Sequence, residues 1–195
     1  MERINEKIAE NFIRIVQQYR NCDEVQSIKI RYSLCVLLGE VEKLNGLSLL
    51  IGLMGNIKEF LFILLLLFGT KRYIGGIHMK THLSCFLTTF LLISGVIFIG
   101  NHSSFTSGQT VLIYLVSLLL AYRAAPMKSE NRIITTKEEK YLIKSKAVLA
   151  VGIISVIGNF SQRTAERYIL WTLLLIQIEV LVGLILQHQP RREMR

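Results

Sequence analysis

The chain has 195 residues, 51% of them apolar, with 23 Lys and Arg against 14 Asp and Glu and a formal net charge of +9. A soluble domain of this length would spread its apolar residues along amphipathic periods around one core. Here they gather into long runs with the charges confined between them, which excludes an ordinary soluble fold and reads as a bilayer-spanning, all-α chain.

Residues 1–31 place Ile4, Ile8, Phe12, Ile15, Val16 and Tyr19 at helical spacing, with Arg14, Gln17, Gln18 and Arg20 on other faces. This pattern predicts an amphipathic helix lying on the membrane surface. The charges Glu2, Arg3, Glu6, Lys7, Asp23 and Glu24 argue against a cleavable signal peptide, so this segment is expected to stay attached.

Residues 33–69 admit two readings, because Glu40, Glu42 and Lys43, and then Asn56, Lys58 and Glu59, interrupt the apolar character. One is a single crossing from Leu44 to Phe68 with a buried Lys58 and Glu59 pair. The other is a helical hairpin that begins near Ser33 and turns at Gly55-Asn56. Neither apolar run, Leu44 to Gly55 or Phe60 to Gly69, alone reaches the roughly 20 residues of a straight crossing.

Four clear apolar runs follow: Leu83 to Gly100, Val111 to Ala121, Ala147 to Phe160 and Tyr168 to Gln187. Three basic segments flank them: residues 71–82 with Lys71, Arg72 and Lys80; Pro126 to Lys146; and a tail over 188–195 with Arg191, Arg192 and Arg195. The excess of Lys and Arg assigns all three to the cytoplasm. With the surface helix also inside, the crossings before Lys71 must be even in number, which favours the hairpin. The expected architecture is a polytopic membrane protein of about six membrane helices, at least four, with a single membrane-embedded domain over 1–195. Two prolines and no Ser-rich or Gln-rich tract leave no linker.

Cys22, Cys35 and Cys85 show no paired spacing, so neither a disulfide framework nor a thiolate zinc site is expected. Chemistry concentrates in residues 71–85, where a basic loop meets the start of a membrane helix. Gly75-Gly76 lets the chain turn sharply. If Thr81 caps the following helix, Cys85 falls at the end of its first turn, where unpaired N–H groups and the helix dipole favour a thiolate. Lys71, Arg72 and Lys80 act in the same direction. On one straight helix His78 and Cys85 would stand roughly 10 Å apart along the axis, so His78 serves Cys85 only from a loop that folds back. His82, one turn before Cys85, is a competing base.

The string Arg72-Tyr73-Ile74-Gly75-Gly76-Ile77-His78, followed by Cys85, in a small basic membrane protein resembles the accessory gene regulator B family of quorum-sensing propeptide processors. The likeness extends to the surface helix, to Tyr122-Arg123-Ala124-Ala125-Pro126 closing a membrane helix, and to the basic loop after it. It implies Cys85 as nucleophile and His78 as general base, supported by Arg72, Gly75 and Gly76. It also implies no cofactor and no metal. The chain departs from the family in having Arg123-Ala124-Ala125-Pro126 where a Tyr-Ala-Pro is common, and no further proline before Pro190.

The resemblance further implies a cysteine-type endopeptidase in the cell membrane. Its active-site loop and both termini would be cytoplasmic, and its substrate would be a small propeptide with an acidic tail. Lys80 and the loop opening at Lys128 are candidates to hold that tail by electrostatic complementarity, although such charges fix topology in any case. Other expected partners are the lipid bilayer and, as a candidate state, a homodimer; no nucleic acid is expected. Glu40 and Glu179, acids among apolar residues, could orient His78 or pair with Lys58.

Two other functions compete. A zinc protease could use His78 and His82 at i, i+4 with Cys85 as a third ligand, but Met79 stands where an HExxH motif has its glutamate. A non-enzymatic transport or assembly protein lacks the paired Gly/Pro-interrupted helices of inverted repeats.

Overall fold

The computed structural model describes residues 2–19, 23–75, 81–127 and 136–188. Every element is helical: α1 Glu2–Tyr19, α2 Glu24–Leu53, α3 Ile57–Ile74, α4 His82–His102, α5 Ser107–Ala124, α6 Lys137–Phe160 and α7 Arg163–His188. The chain divides into two compact units, residues 1–55 and 56–195.

In the first unit, α1 packs on α2. Glu10 pairs with Arg31 at 3.1 Å and Gln17 Nε2 donates to Ser27 Oγ at 3.3 Å. Ile8, Phe12 and Ile15 leave an exposed apolar stripe on α1, the face a surface helix turns to lipid. The stretch 1–31 read as one helix is two, because Asp23 restarts the helix by accepting the first main-chain bond, from Ser27, at 3.0 Å. Helix α2 therefore starts before Ser33 and is 30 residues long. It ends where Gly55 takes φ 78, a conformation glycine adopts without strain. That break falls at the expected Gly55-Asn56, and Lys58 is exposed rather than buried.

In the second unit, α7 is the hub, packing against α3, α4, α5 and α6. Its Ile169, Leu170, Thr172, Leu173, Ile176 and Val180 are buried. The surrounding helices are apolar on their outer faces as well: Leu65, Leu91, Leu115, Leu149 and Ile153 are all more than half exposed. In water such a surface would be costly; in hydrocarbon it is the solvent-matched face. Leu83–His102, Ser107–Ala124, Lys137–Phe160 and Arg163–Ile185 are long and apolar enough to cross a bilayer, matching the expected minimum of four.

Helix starts follow cap chemistry. Thr106 with Gln109 and Thr136 with Glu139 form capping boxes at α5 and α6, each satisfying two otherwise orphaned N–H groups. Inside the bundle, polar groups close on nearby partners. Gln177 Nε2 donates to Ser117 Oγ at 2.7 Å and to the Ile113 carbonyl at 3.1 Å, while Ser117, Ser155 and Thr172 each donate to the carbonyl four residues back. Where hydrophobic driving force is absent, such bonds and close small-residue contacts hold helices together.

Candidate functional site

Thr81 is extended at φ −118, ψ 147, and its hydroxyl oxygen accepts from the Ser84 N–H at 3.2 Å; Ser84 Oγ donates to the Thr81 carbonyl at 2.9 Å. The Cys85 N–H makes the first helical bond, to the Thr81 carbonyl at 3.1 Å. Cys85 thus closes the first turn of α4, the position its spacing from Thr81 predicted. It is half-buried, and its carbonyl accepts from Thr89 Oγ1 at 2.8 Å. His82 opens the helix.

The other edge of the site is the end of α3. Lys71 and Arg72 lie in its last turn, where cations complement the helix dipole. Gly75 stops the helix at φ 98, ψ −178, its N–H donating to the Lys71 carbonyl at 2.9 Å. This region of backbone space is essentially reserved for glycine. Of the site residues read from the sequence, Arg72, Gly75 and Cys85 are therefore placed. Gly76, His78, Lys80 and Lys128 lie outside the described residues.

Three features that local sequence patterns did not reveal tie this end of the bundle together. The Met127 N–H donates to the Ile74 carbonyl at 2.9 Å, just after the cis Ala125-Pro126 bond that follows α5. A side chain at Gly75 would meet Met127 Cβ at 3.2 Å. Gly75 and Met127 consequently sit side by side.

Lys71 Nζ stands 2.8 Å from both carboxylate oxygens of Glu179 on α7. Glu179 therefore pairs with Lys71 rather than Lys58, and Glu40 pairs with Lys43 one turn along α2 at 2.5 Å. An acid in an apolar run signalled that Glu179 had a partner; only packing identified it. Third, Lys144 Nζ sits 4.1 Å over the Tyr122 ring, joining α6 to α5 at the same end.

This arrangement defines a class: a multi-pass helical membrane protein carrying a cysteine on the first turn of a membrane helix, at the end where its Lys and Arg collect. The chain belongs to the accessory gene regulator B family, whose sequence model matches residues 2–184, and this membership gives it a role in the accessory gene regulator system and points to quorum sensing. AgrB-like protein 1 of Clostridium perfringens is 28% identical over 174 residues, covering 87% of this chain and 91% of that protein. An AgrB-like protein of Clostridium beijerinckii is 23% identical over 179 residues, covering 90% and 87%. No solved structure matches the chain.

Proposed function

We propose that this chain is a membrane cysteine endopeptidase that removes the C-terminal tail of a small propeptide through an acyl-thioester on Cys85, followed by closure of the product to a thiolactone or lactone signal peptide. The observation that carries this reading is Cys85 at the end of the capped first turn of α4. Only residues 76–80, with His78 at their centre, separate that cap from the Gly75 turn.

The Cys85 thiolate attacks the carbonyl carbon at the junction with the tail, and the C–N bond breaks. His78 takes up the thiol proton and returns it to the departing amine. An internal thiol or hydroxyl of the peptide then attacks the thioester and expels the Cys85 thiolate, regenerating the enzyme. Hydrolysis competes with that closure, so a site at the membrane interface that limits water favours it.

The side-by-side placement of Gly75 and Met127 supports a joint role for Lys80 and Lys128 in holding an acidic tail. The charge distribution supports cytoplasmic placement of this end and of both termini.

The test is co-expression of the chain with a candidate propeptide, with shortening followed by mass spectrometry. Cys85→Ala and His78→Ala are expected to abolish cleavage while His82→Ala retains it. Cleavage surviving in either of the first two would overturn the dyad. Cleavage blocked by a chelator yet resistant to thiol alkylation would establish the zinc chemistry instead.

A further inference from the structure

At the end of the bundle opposite Cys85, the first turns of α5 and α7 border an open polar cavity of about 640 Å³. Asn101 lies 16 residues along α4 from Cys85, about 24 Å at 1.5 Å per residue, so this cavity is separate from the proposed peptidase site. Thr106, Ser107 and Thr110 line it from α5, and Arg163, Glu166 and Arg167 from α7.

Two guanidinium groups and one carboxylate leave the cavity with a net positive charge. The carboxylate is engaged, Glu166 Oε1 accepting from Thr110 Oγ1 at 3.3 Å. Arg167 Nη1 donates to the carbonyls of Ser103 at 3.2 Å and Asn101 at 3.5 Å, but its Nε–H is buried without an acceptor among the described residues. Arg163 is exposed. Among the described residues, no carboxylate lies within ion-pairing distance of either guanidinium. Both helix starts add positive dipole ends.

The cavity also lies at headgroup depth by its aromatic markers. Trp171 Nε1 donates to Ser103 Oγ at 2.6 Å and its ring packs on Phe105 at 5.4 Å, the amphipathic placement of interfacial aromatics. Exposed Phe98 and Leu112 continue the surface toward the bilayer interior. Planar guanidinium forks beside several hydroxyls match a tetrahedral oxyanion.

We infer that this cavity binds a phosphate-class oxyanion, supplied by a phospholipid headgroup in the leaflet opposite Cys85 or by free phosphate. The experiment uses the full chain in uncharged detergent, following its thermal unfolding midpoint on titration with inorganic phosphate, with phosphatidylglycerol, and with a phosphate-free diglucosyl lipid. A saturable rise is expected with a phosphate source and not with the glycolipid. A rise with inorganic phosphate alone assigns the free anion; a rise only with phosphatidylglycerol assigns the lipid.

Arg163→Gln, an exposed change outside the helix packing, is expected to weaken that response about tenfold, and Glu166→Gln to strengthen it severalfold by removing the like charge. An equal response in wild type and Arg163→Gln, or no response to either phosphate source, would overturn the inference.

Discussion

The main-chain N–H of Met127 donates to the carbonyl of Ile74 at 2.9 Å, joining residues 53 positions apart in sequence. Helix α3 could otherwise have left its last carbonyls to water. The bond instead joins the residues that precede the histidine-bearing segment and the basic segment, so substitutions that disturb this joint should act on peptide processing more than on insertion of the helices.

Gly75 tests that joint most directly. Its φ of 98 with extended ψ is strained for any L side chain, and an added Cβ would press on Met127 Cβ at 3.2 Å. Gly75→Ala is expected to cost about 1–3 kcal/mol locally. Propeptide cleavage should fall at least fivefold while membrane insertion, measured by fractionation, is unchanged. Wild-type cleavage by this variant would show that the turn does not position the site.

Thr81 holds the first turn of α4 through three contacts with Ser84. Thr81→Ala removes the cap, worth about 1 kcal/mol, and should fray the turn that carries Cys85. Alkylation of Cys85 by a maleimide is expected to change in rate, with Thr81→Ser restoring the wild-type value. Equal rates in all three proteins would mean the cap does not control the thiol.

The Lys71 and Glu179 pair is half-exposed on the lysine side, which limits its worth to about 1 kcal/mol. Glu179→Gln and Lys71→Met should each lower the unfolding midpoint in detergent. The double variant should lose less than the sum, since the second change removes a charge already without its partner. Strict additivity would deny the coupling.

Gly158 faces Tyr114 across the α5–α6 contact, and an added Cβ would collide with the phenol oxygen. Gly158→Ala is therefore expected to cost about 1–3 kcal/mol by overpacking. The Tyr114 hydroxyl is buried with no hydrogen-bond partner among the described residues, so Tyr114→Phe should be close to neutral alone. It should also recover much of the Gly158→Ala loss, read from unfolding midpoints of the four proteins.

Much of the architecture was legible in the sequence because each cue is local. Apolar runs bounded by charged segments announce crossings, Thr81 announces a helix start, and Gly55-Asn56 announces a break. The boundary at Asp23 was missed because no glycine or proline stands between Tyr19 and Asp23 to mark a stop. Cys85 was legible by position. Its proposed partnership with His78 rested on a motif rather than on periodicity.

The sequence by itself determined that the chain enters a membrane, which helices are long enough to cross it, where the thiol stands on its helix, and to which family the chain belongs. The first three follow from residue order over a few turns, and the family from a pattern spread over residues 2–184. Only the tertiary structure decided that Glu179 answers Lys71, that Met127 closes on Ile74, and that Arg163 and Arg167 share a cavity with Glu166. The physical reason is that Lys71 and Glu179, and Ile74 and Met127, are far apart in sequence, while Arg163, Glu166 and Arg167, neighbours on one turn of α7, line a cavity only because the start of α5 stands against them. An ion pair, a main-chain bond or a cavity forms between them only when packing of α7 against its neighbours brings their helices into register, and no local pattern encodes that register.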